Sequence, residues 1–265
     1  MNFRAQADSQ ARAVGPWDHW LLALYPLWQW LVLFPVVLVV TVVAASGSII
    51  VALAGFPRFA NLQVAARWAR TIAWWTPMRV EIEGAEHIQP GRSYVVVANH
   101  QSQFDIPLIY GFSRLDLRWV MKAELGWVPF VAQGCRAIGH IFVDRGDPEQ
   151  ARNAINRAVA RLPEGTGVLF FAEGTRSRSG RLLKFRKGAF RVAVDRGLEV
   201  LPMTVVGTRE LMPSDSIRVR PGRARLVIHP PIRPDGPSGR RAEELMQKTR
   251  AAIASALPEA LREAG

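Results

Sequence analysis

The longest apolar pattern in the chain covers residues 19–57, which include no Asp, Glu, Lys or Arg. As one straight helix this run would reach about 58 Å, roughly twice the ~30 Å hydrocarbon thickness of a bilayer. Pro26 and Pro35 can kink a helix, and the Ser-Gly-Ser sequence at 46–48 is a natural break. The run therefore predicts two helical segments that form a membrane-embedded hairpin, with both ends on the cytoplasmic side.

Two other interpretations of this run are a buried helix pair in a soluble core and a cleaved signal peptide. The apolar part of a signal peptide covers only about 7 to 15 residues. Here the apolar character continues well past Ala44 and Ala45. We therefore expect a retained membrane segment.

Residues 58–75 continue with an amphipathic helical pattern. Its apolar side chains recur at three- and four-residue spacing, at Leu62, Ala65, Trp68, Ile72 and Trp75. Such a stripe suits either packing against a protein core or a position in the lipid interface, and the pattern alone leaves both open. Together with the preceding run it predicts a membrane-associated helical segment over residues 1–78.

The pattern changes at Arg79, where short β-rich runs begin to alternate with helical ones. The predicted strands lie at 80–83, 94–98, 167–171 and 226–229. Asp147 and Pro148 form a helix start, with Asp147 as the N-cap, before a helical apolar pattern that ends near Leu162. Residues 79–265 are thus predicted to form an α/β domain with a mostly parallel sheet covered by helices. Ligand sites in such folds lie in the loops beyond the strand ends.

The strand at 94–98 is followed directly by the motif N-H-Q-S-Q-F-D, which contains Asn99, His100 and Asp105. Residues five apart point in different directions in a helix or a strand, so a contact between His100 and Asp105 requires irregular backbone. A strand-to-helix junction would provide it. An imidazole suits general-base catalysis, and a carboxylate can fix its tautomer and stabilise the imidazolium. The alternative is that Asp105 only caps a helix and His100 is an ordinary polar residue.

A second polar cluster follows the strand at 167–171. From Arg176 to Arg191, both included, it holds seven basic residues and no acidic one. Gly174 allows close approach of the backbone to a ligand, and Arg176 can hold a phosphate through two parallel hydrogen bonds. We expect Glu173 to stay ionised beside this charge and to accept a hydrogen bond from a substrate hydroxyl. A solvated basic loop is the alternative.

Two further basic residues, Lys122 and Arg145, lie at the ends of probable strands. Each can be a surface charge paired with a nearby acid, Glu124 for Lys122 and Asp144 or Asp147 for Arg145. On their own they do not predict a site.

The charge and cysteine content narrow the function classes. There are 34 Lys and Arg against 22 Asp and Glu, and the resulting net charge of +12 predicts an anionic partner. The single cysteine, Cys135, excludes an intrachain disulfide and a paired-cysteine zinc site. The histidines show no close ligand spacing, so we expect no metal and no cofactor.

Taken in order, these motifs resemble those of the glycerolipid acyltransferases typified by 1-acyl-sn-glycerol-3-phosphate acyltransferase, the lysophosphatidic acid acyltransferase. The family pattern N-H-x-x-x-x-D matches Asn99, His100 and Asp105. The remaining blocks match Gly139, Phe142 and Arg145, then 171–177, then Pro202 in an apolar strand. One departure is Ala172, which stands where the family has a proline.

The resemblance implies a role for each matching residue. His100 would be the general base, Asp105 its partner, and attack on the thioester would be direct, without an acyl-enzyme. The residues implied to bind the glycerol-phosphate end are Arg145, Glu173, Gly174, Thr175 and Arg176, with Lys122 as a further phosphate contact. The implied donor is acyl-CoA or acyl carrier protein, the acceptor is a lysolipid, and the product is phosphatidic acid. Anionic membrane lipid is a further expected partner, at the cytoplasmic face of the bacterial inner membrane.

The sequence can also be interpreted in three other ways. The acceptor could be another lysolipid, such as a lyso-ornithine lipid. A membrane-bound thioester hydrolase would need a nucleophile, but the chain has no G-x-S-x-G motif and Cys135 has no recognisable partner. A nucleic-acid-binding protein would account for the positive charge but not for residues 19–57 or the ordered motifs. We therefore expect no nucleic-acid partner.

Overall fold

The computed structural model describes residues 25–144, 146–235 and 240–262. The chain forms two compact units, Met1–Val39 and Val40–Gly265. Residues 40–78 thus belong to the same compact unit as the α/β domain, whereas the sequence predicts a domain boundary between residues 78 and 79. The predicted boundary lies where the helical region ends and the first strand begins.

The N-terminal part of the described chain is a helical hairpin whose turn differs from the predicted one. Helix α1 spans Tyr25–Leu53 without a break, and helix α2 covers 57–75. The expected break at 46–48 is wrong, because these residues remain helical and the chain turns at residues 54–56. Within the second unit the two helices run antiparallel, since Trp68 Nε1 donates to Thr41 Oγ1 at 3.0 Å and Gly47 lies beside Val64.

Helix α1 has the length and composition of a membrane span. It has a mean hydropathy of 2.7 over its most apolar window, of which 6% is buried. No other helix in the described part of the chain is both long and apolar enough to cross a bilayer. Its 29 residues correspond to about 43 Å, more than the ~30 Å hydrocarbon core.

The described residues form seven strands: β1 Met78–Glu83, β2 Tyr94–Ala98, β3 Asp116–Lys122, β4 Ile141–Val143, β5 Thr166–Phe171, β6 Glu199–Val206 and β7 Gly222–Ile228. They form one sheet in the order β1-β7-β6-β2-β5-β3-β4. All pairs are parallel except β6 with β7. The predicted mostly parallel sheet is confirmed.

The remaining helices are α3 Asp105–Phe112, α4 Val131–Ala137, α5 Pro148–Val159, α6 Gly188–Arg196, α7 Thr208–Leu211 and α8 Arg241–Ser255. One face of the sheet packs against α5, α6 and α8, where Ile155, Phe190 and Ile253 join a buried apolar cluster. On the other side α2 packs on α3, and Tyr110 of α3 contacts Trp119 of β3. Asp147 caps α5 as predicted, accepting hydrogen bonds from the backbone N–H groups of residues 149 and 150.

The strand order brings the two polar motifs together. Strand β2 lies between β5 and β6, and Ala98 at its carboxyl end pairs with Phe171 and Met203. Because these strands are parallel, the loops after β2, β5 and β6 leave the same edge of the sheet.

Candidate active site

The loop after β2 is anchored by Asn99, whose side chain extends the sheet by one residue. Its Nδ2 donates to the carbonyl of Val205 at 2.9 Å, and its Oδ1 accepts from the Val205 N–H at 2.7 Å. A buried amide satisfied on both sides holds the chain rigidly. Asn99 therefore fixes the point from which His100 projects.

His100 and Asp105 make the contact that the sequence predicts. His100 Nδ1 lies 2.7 Å from Asp105 Oδ2, and Asp105 is the first residue of α3. The same oxygen accepts the N–H groups of Gln101 at 2.6 Å and Ser102 at 3.0 Å. With Nδ1 protonated toward the carboxylate, Nε2 carries the lone pair that can accept a proton.

Thr208 completes the partners of the Asp105 carboxyl group. Its hydroxyl donates to Asp105 Oδ1, and both residues are fully buried. Thr208 follows β6 and is not among the site residues predicted from the sequence. No motif points to it, because the contact depends on β6 lying next to β2.

The imidazole of His100 is stacked on an aromatic ring. The ring centroids of His100 and Phe171 are 3.7 Å apart with an angle of 9° between the planes, and 14% of the His100 side chain is exposed. Behind Phe171, Trp119 makes an edge contact at 5.7 Å. Packing on one face and the Asp105 hydrogen bond together define the orientation of the ring.

Glu173 is buried, not aimed at solvent as its basic surroundings suggest. Its Oε1 accepts the N–H of His100 at 2.8 Å, and its Oε2 accepts the N–H of Leu183 at 3.0 Å. Burial raises the pKa of Glu173 to about 7, against the lowering effect of these two hydrogen bonds. The prediction that nearby positive charge keeps Glu173 ionised does not include this desolvation, which is the largest effect on its pKa. Its contacts tie the loop after β5 to His100.

The departure at Ala172 has a structural counterpart. The Ala172 N–H donates to the carbonyl of Ala98 at 3.3 Å, and its carbonyl accepts from the Arg186 N–H at 2.8 Å. A proline at this position would lack the first of these bonds. The loop is thus tied to β2 in a way that a proline would not allow.

After Glu173, the loop that follows β5 turns toward solvent. Gly174 has φ of +73°, and a Cβ there would lie 2.5 Å from Arg186 Nε. Thr175 is exposed and Arg176 is half-buried. The Ser177 N–H returns to the carbonyl of His100 at 2.8 Å. Arg176 therefore directly precedes a residue whose backbone is hydrogen-bonded to His100.

The two other predicted binding residues are placed differently. Lys122 ends β3, is 55% exposed and pairs with Glu124 at 2.6 Å, as the surface alternative supposes. Arg145 lies outside the described residues.

A cavity of about 330 Å³ opens beside this site. Its apolar lining includes Val120, Ile155 and Phe170, and its basic residues are Arg152, Arg186, Lys187 and Arg191. Phe171 and Gly174 also line it, so the cavity and the imidazole share the Phe171 ring. This arrangement can hold an anionic group close to the loop after β5.

A smaller apolar cavity of about 90 Å³ lies among α1, α2, α3 and α4. Its lining includes Ala44, Ser48, Trp68, Tyr110 and Cys135. Tyr110 contacts Trp119, and Trp119 contacts Phe171. A chain of aromatic rings thus connects this cavity with His100.

Comparison with known proteins agrees with this geometry. The acyltransferase family model matches residues 79–206. A 1-acyl-sn-glycerol-3-phosphate acyltransferase of Chlamydomonas reinhardtii is 33% identical over 87% of this chain and 68% of its own length. The chain belongs to the acyltransferase family. The human alpha form of the enzyme is 30% identical over 81% of this chain and 72% of its own length.

The fold is also similar to a solved structure. The crystal structure of the 1-acyl-sn-glycerophosphate (LPA) acyltransferase PlsC from Thermotoga maritima is 30% identical, with a TM-score of 0.64. The similarity covers 82% of this chain and 92% of that one. The family resemblance predicted from the motifs and the α/β fold are both confirmed.

Proposed function

We propose that this acyltransferase moves a fatty acyl group from an acyl-CoA or acyl-carrier-protein thioester to the free hydroxyl of 1-acyl-sn-glycerol-3-phosphate, forming phosphatidic acid. The observation that carries the proposal is the buried Asp105 carboxyl group bound to His100 Nδ1, beside a basic loop. The acceptor is supported by the names of the relatives.

In the proposed chemistry, the imidazole of His100 first accepts a proton and then donates it. Nε2 of His100 accepts the proton of the acceptor hydroxyl while the hydroxyl oxygen attacks the thioester carbonyl. The carbon–sulfur bond of the tetrahedral intermediate then breaks, and the departing thiolate takes the proton from the imidazolium. Asp105 stabilises the imidazolium without taking the proton. General-base catalysis of this kind supplies about 10²- to 10⁴-fold in rate.

Direct attack is favoured over an acyl-cysteine intermediate. Burial raises the pKa of the Cys135 thiol to about 11, so almost none of it is the nucleophilic thiolate at neutral pH. Cys135 also lines the small apolar cavity and has no contact with His100 among the hydrogen bonds of the described residues. A thioester hydrolase that uses this cysteine is therefore disfavoured.

We assign the glycerol-phosphate end of the acceptor to Arg176 and Arg145, with further contacts from Gly174 and Thr175. Arginine suits a phosphate because it forms two parallel hydrogen bonds. Glu173 acts in this scheme as a positioning residue, since its carboxyl oxygens bind the backbone of His100 and Leu183. Lys122 is proposed as a phosphate contact that would first have to leave Glu124.

We also propose that the enzyme works at a membrane, on the cytoplasmic face of the bacterial inner membrane, with α1 in lipid. Exposed apolar residues such as Val43 and Ile50 support a lipid environment for this helix. The small apolar cavity next to α1 is a fitting site for the end of an acyl chain. Basic residues near the surface would add attraction to anionic lipid of about 1 kcal/mol each.

The test is a matrix of two donors and two acceptors with purified protein in detergent micelles. Labelled acyl-CoA and acyl carrier protein are each combined with lysophosphatidate and with lyso-ornithine lipid. Phosphatidate formation that falls in Arg176→Ala far more than in Arg178→Ala, an exposed neighbour, supports both the acceptor and its phosphate contact. Transfer to the ornithine lipid alone would overturn the acceptor and keep the chemistry.

A further inference from the structure

The loop between β3 and α4, residues 123–130, presents unusually many apolar side chains to solvent. Leu125 is 47% exposed, Trp127 87%, Val128 40% and Phe130 51%. Scattered single apolar residues on a surface are ordinary, but four large ones in one short loop form a patch. Packing within the described structure does not account for them.

Hydrogen bonds within the loop and from α4 define the conformation of the loop. Arg136 Nη2 of α4 donates to the carbonyl of Gly126 at 3.1 Å, and the Arg136 guanidinium lies 5.2 Å from the centre of the Phe142 ring. The Val128 N–H donates to the carbonyl of Leu125 at 3.3 Å. The exposed side chains therefore project from a defined turn.

The loop lies next to the proposed lipid-facing helix. Helix α4 follows the loop directly, and its Gly134 approaches α1 so closely that a Cβ there would be 3.2 Å from the Cα of Ala45. Small residues at such a crossing bring the two backbones together. Val43, two residues before Ala45, is 66% exposed. Helix α4, which begins where the loop ends, thus packs against α1, and the loop and α1 both expose apolar side chains.

The charges around the loop suit the headgroup layer of a bilayer. Glu124, the one acidic residue of the loop, is paired with Lys122 at 2.6 Å. Lys122 and Arg136 flank the apolar side chains on either side in the sequence. Tryptophan in the interface with basic residues at headgroup level is a common pattern of membrane-bound surfaces.

From these observations we propose that the 123–130 loop inserts into the bilayer as a second membrane contact, separate from α1, with Trp127 at its tip. This inference rests on the proposed membrane association of the protein. By entering lipid at the carboxyl end of β3, the loop would hold the sheet edge that carries His100 against the surface from which the lysolipid comes.

Depth measurements in vesicles test the loop directly, because Cys135 is the chain's single cysteine. In a Cys135→Ala background, Trp127→Cys is labelled with the fluorophore NBD and reconstituted in vesicles of phosphatidylcholine and phosphatidylglycerol. Asn153→Cys, exposed on α5 across the sheet, is the matched control, and Val43→Cys reports on α1. Spin-labelled lipids and aqueous iodide serve as quenchers.

We expect spin-labelled lipid to quench the label at 127 at least about threefold more than at 153, with iodide giving the reverse order. Quenching at 43 without quenching at 127 would overturn the loop insertion and leave the membrane association intact. Lipid quenching at neither position would overturn both. A label at 127 that is shielded from iodide without lipid quenching would indicate a protein partner and also contradict the proposal.

A kinetic readout keeps the proposal testable if labelling disturbs the protein. In Trp127→Glu with Phe130→Glu, we expect the KM for lysophosphatidate in vesicles to rise roughly tenfold. The kcat on a monomeric short-chain acceptor in solution should stay within about twofold, because these side chains are outside the proposed catalytic site. An unchanged KM on vesicles would contradict insertion.

Discussion

Thr208 donates its hydroxyl hydrogen bond to Oδ1 of Asp105, a residue 103 positions earlier in the chain. The other carboxyl oxygen binds His100. The β6–α7 connection thus controls the orientation of the group that orients the proposed base.

Removing the Thr208 hydroxyl should slow acyl transfer without weakening acceptor binding. A hydrogen bond to a charged group contributes about 1.5–3 kcal/mol, so Thr208→Val should lower kcat about 10- to 100-fold. Thr208→Ser, which keeps the hydroxyl, should stay close to wild type. Steady-state kinetics with varied lysophosphatidate separate kcat from KM. A rise in KM with kcat unchanged would show that Thr208 does not act through Asp105.

The buried carboxyl of Glu173 should make stability depend on pH. Its pKa is raised from 4.5 to about 7 in the folded protein, so the folded state binds more protons than the unfolded state in that interval. The Glu173 carboxyl group therefore stabilises the folded state most below pH 4.5. As the pH rises from there to about 7, its contribution to the free energy of unfolding falls by about 3 kcal/mol.

Glu173→Gln tests this dependence through denaturant unfolding at several pH values. The variant should lose this part of the slope, while Glu164→Gln, an exposed control, should keep it. Because the amide has one acceptor oxygen for the two N–H groups of His100 and Leu183, kcat should also fall. Identical pH slopes for wild type and Glu173→Gln would rule out the raised pKa.

Gly174 should tolerate no side chain, in contrast to Gly188 nearby. With φ of +73° and Arg186 in the space of a Cβ, Gly174→Ala should lower the free energy of unfolding by about 1–2 kcal/mol. A Cβ on Gly188 meets no described atom within 4 Å, so Gly188→Ala should change it by less than about 0.5 kcal/mol. Equal effects in denaturant unfolding would contradict the strained turn.

Filling the small apolar cavity should change the preferred acyl chain. Ala44 lines this cavity, whereas the neighbouring Val43 is exposed. Ala44→Leu should favour shorter donors, and because one methylene in an apolar pocket is worth about 1–3 kcal/mol, transfer of the longest chains should fall 10-fold or more. Competition assays with mixed acyl-CoA lengths measure this. If Val43→Leu caused the same shift toward shorter donors, the change in chain preference would not depend on the cavity.

The sequence predicts those features that depend on local pattern. Asp147 and Pro148 mark the start of α5 because capping is decided within one turn, and the β-rich run at 94–98 appears as β2. The contact between His100 and Asp105 could also be foreseen, since both residues belong to one strand-to-helix junction.

The features that were missed depend on packing at a distance. Thr208 reaches Asp105 only because β6 lies beside β2. The 46–48 segment stays helical within α1, where Ser48 is buried and Gly47 faces Val64 of α2, so these small residues pack against neighbours and do not form a turn. For Glu173 the nearby positive charge is visible in the sequence, but its burial, which raises its pKa, is not.

Nε2 of His100 is the proposed base for acyl transfer to lysophosphatidate. The most direct measurement is the rate of phosphatidate formation at saturating donor and acceptor by wild type, His100→Ala and His87→Ala, a histidine that follows β1 at the far edge of the sheet. We predict a loss of about 10²- to 10⁴-fold in His100→Ala and a rate near wild type in His87→Ala. A His100→Ala protein that is folded and still transfers at the wild-type rate would exclude this role for His100.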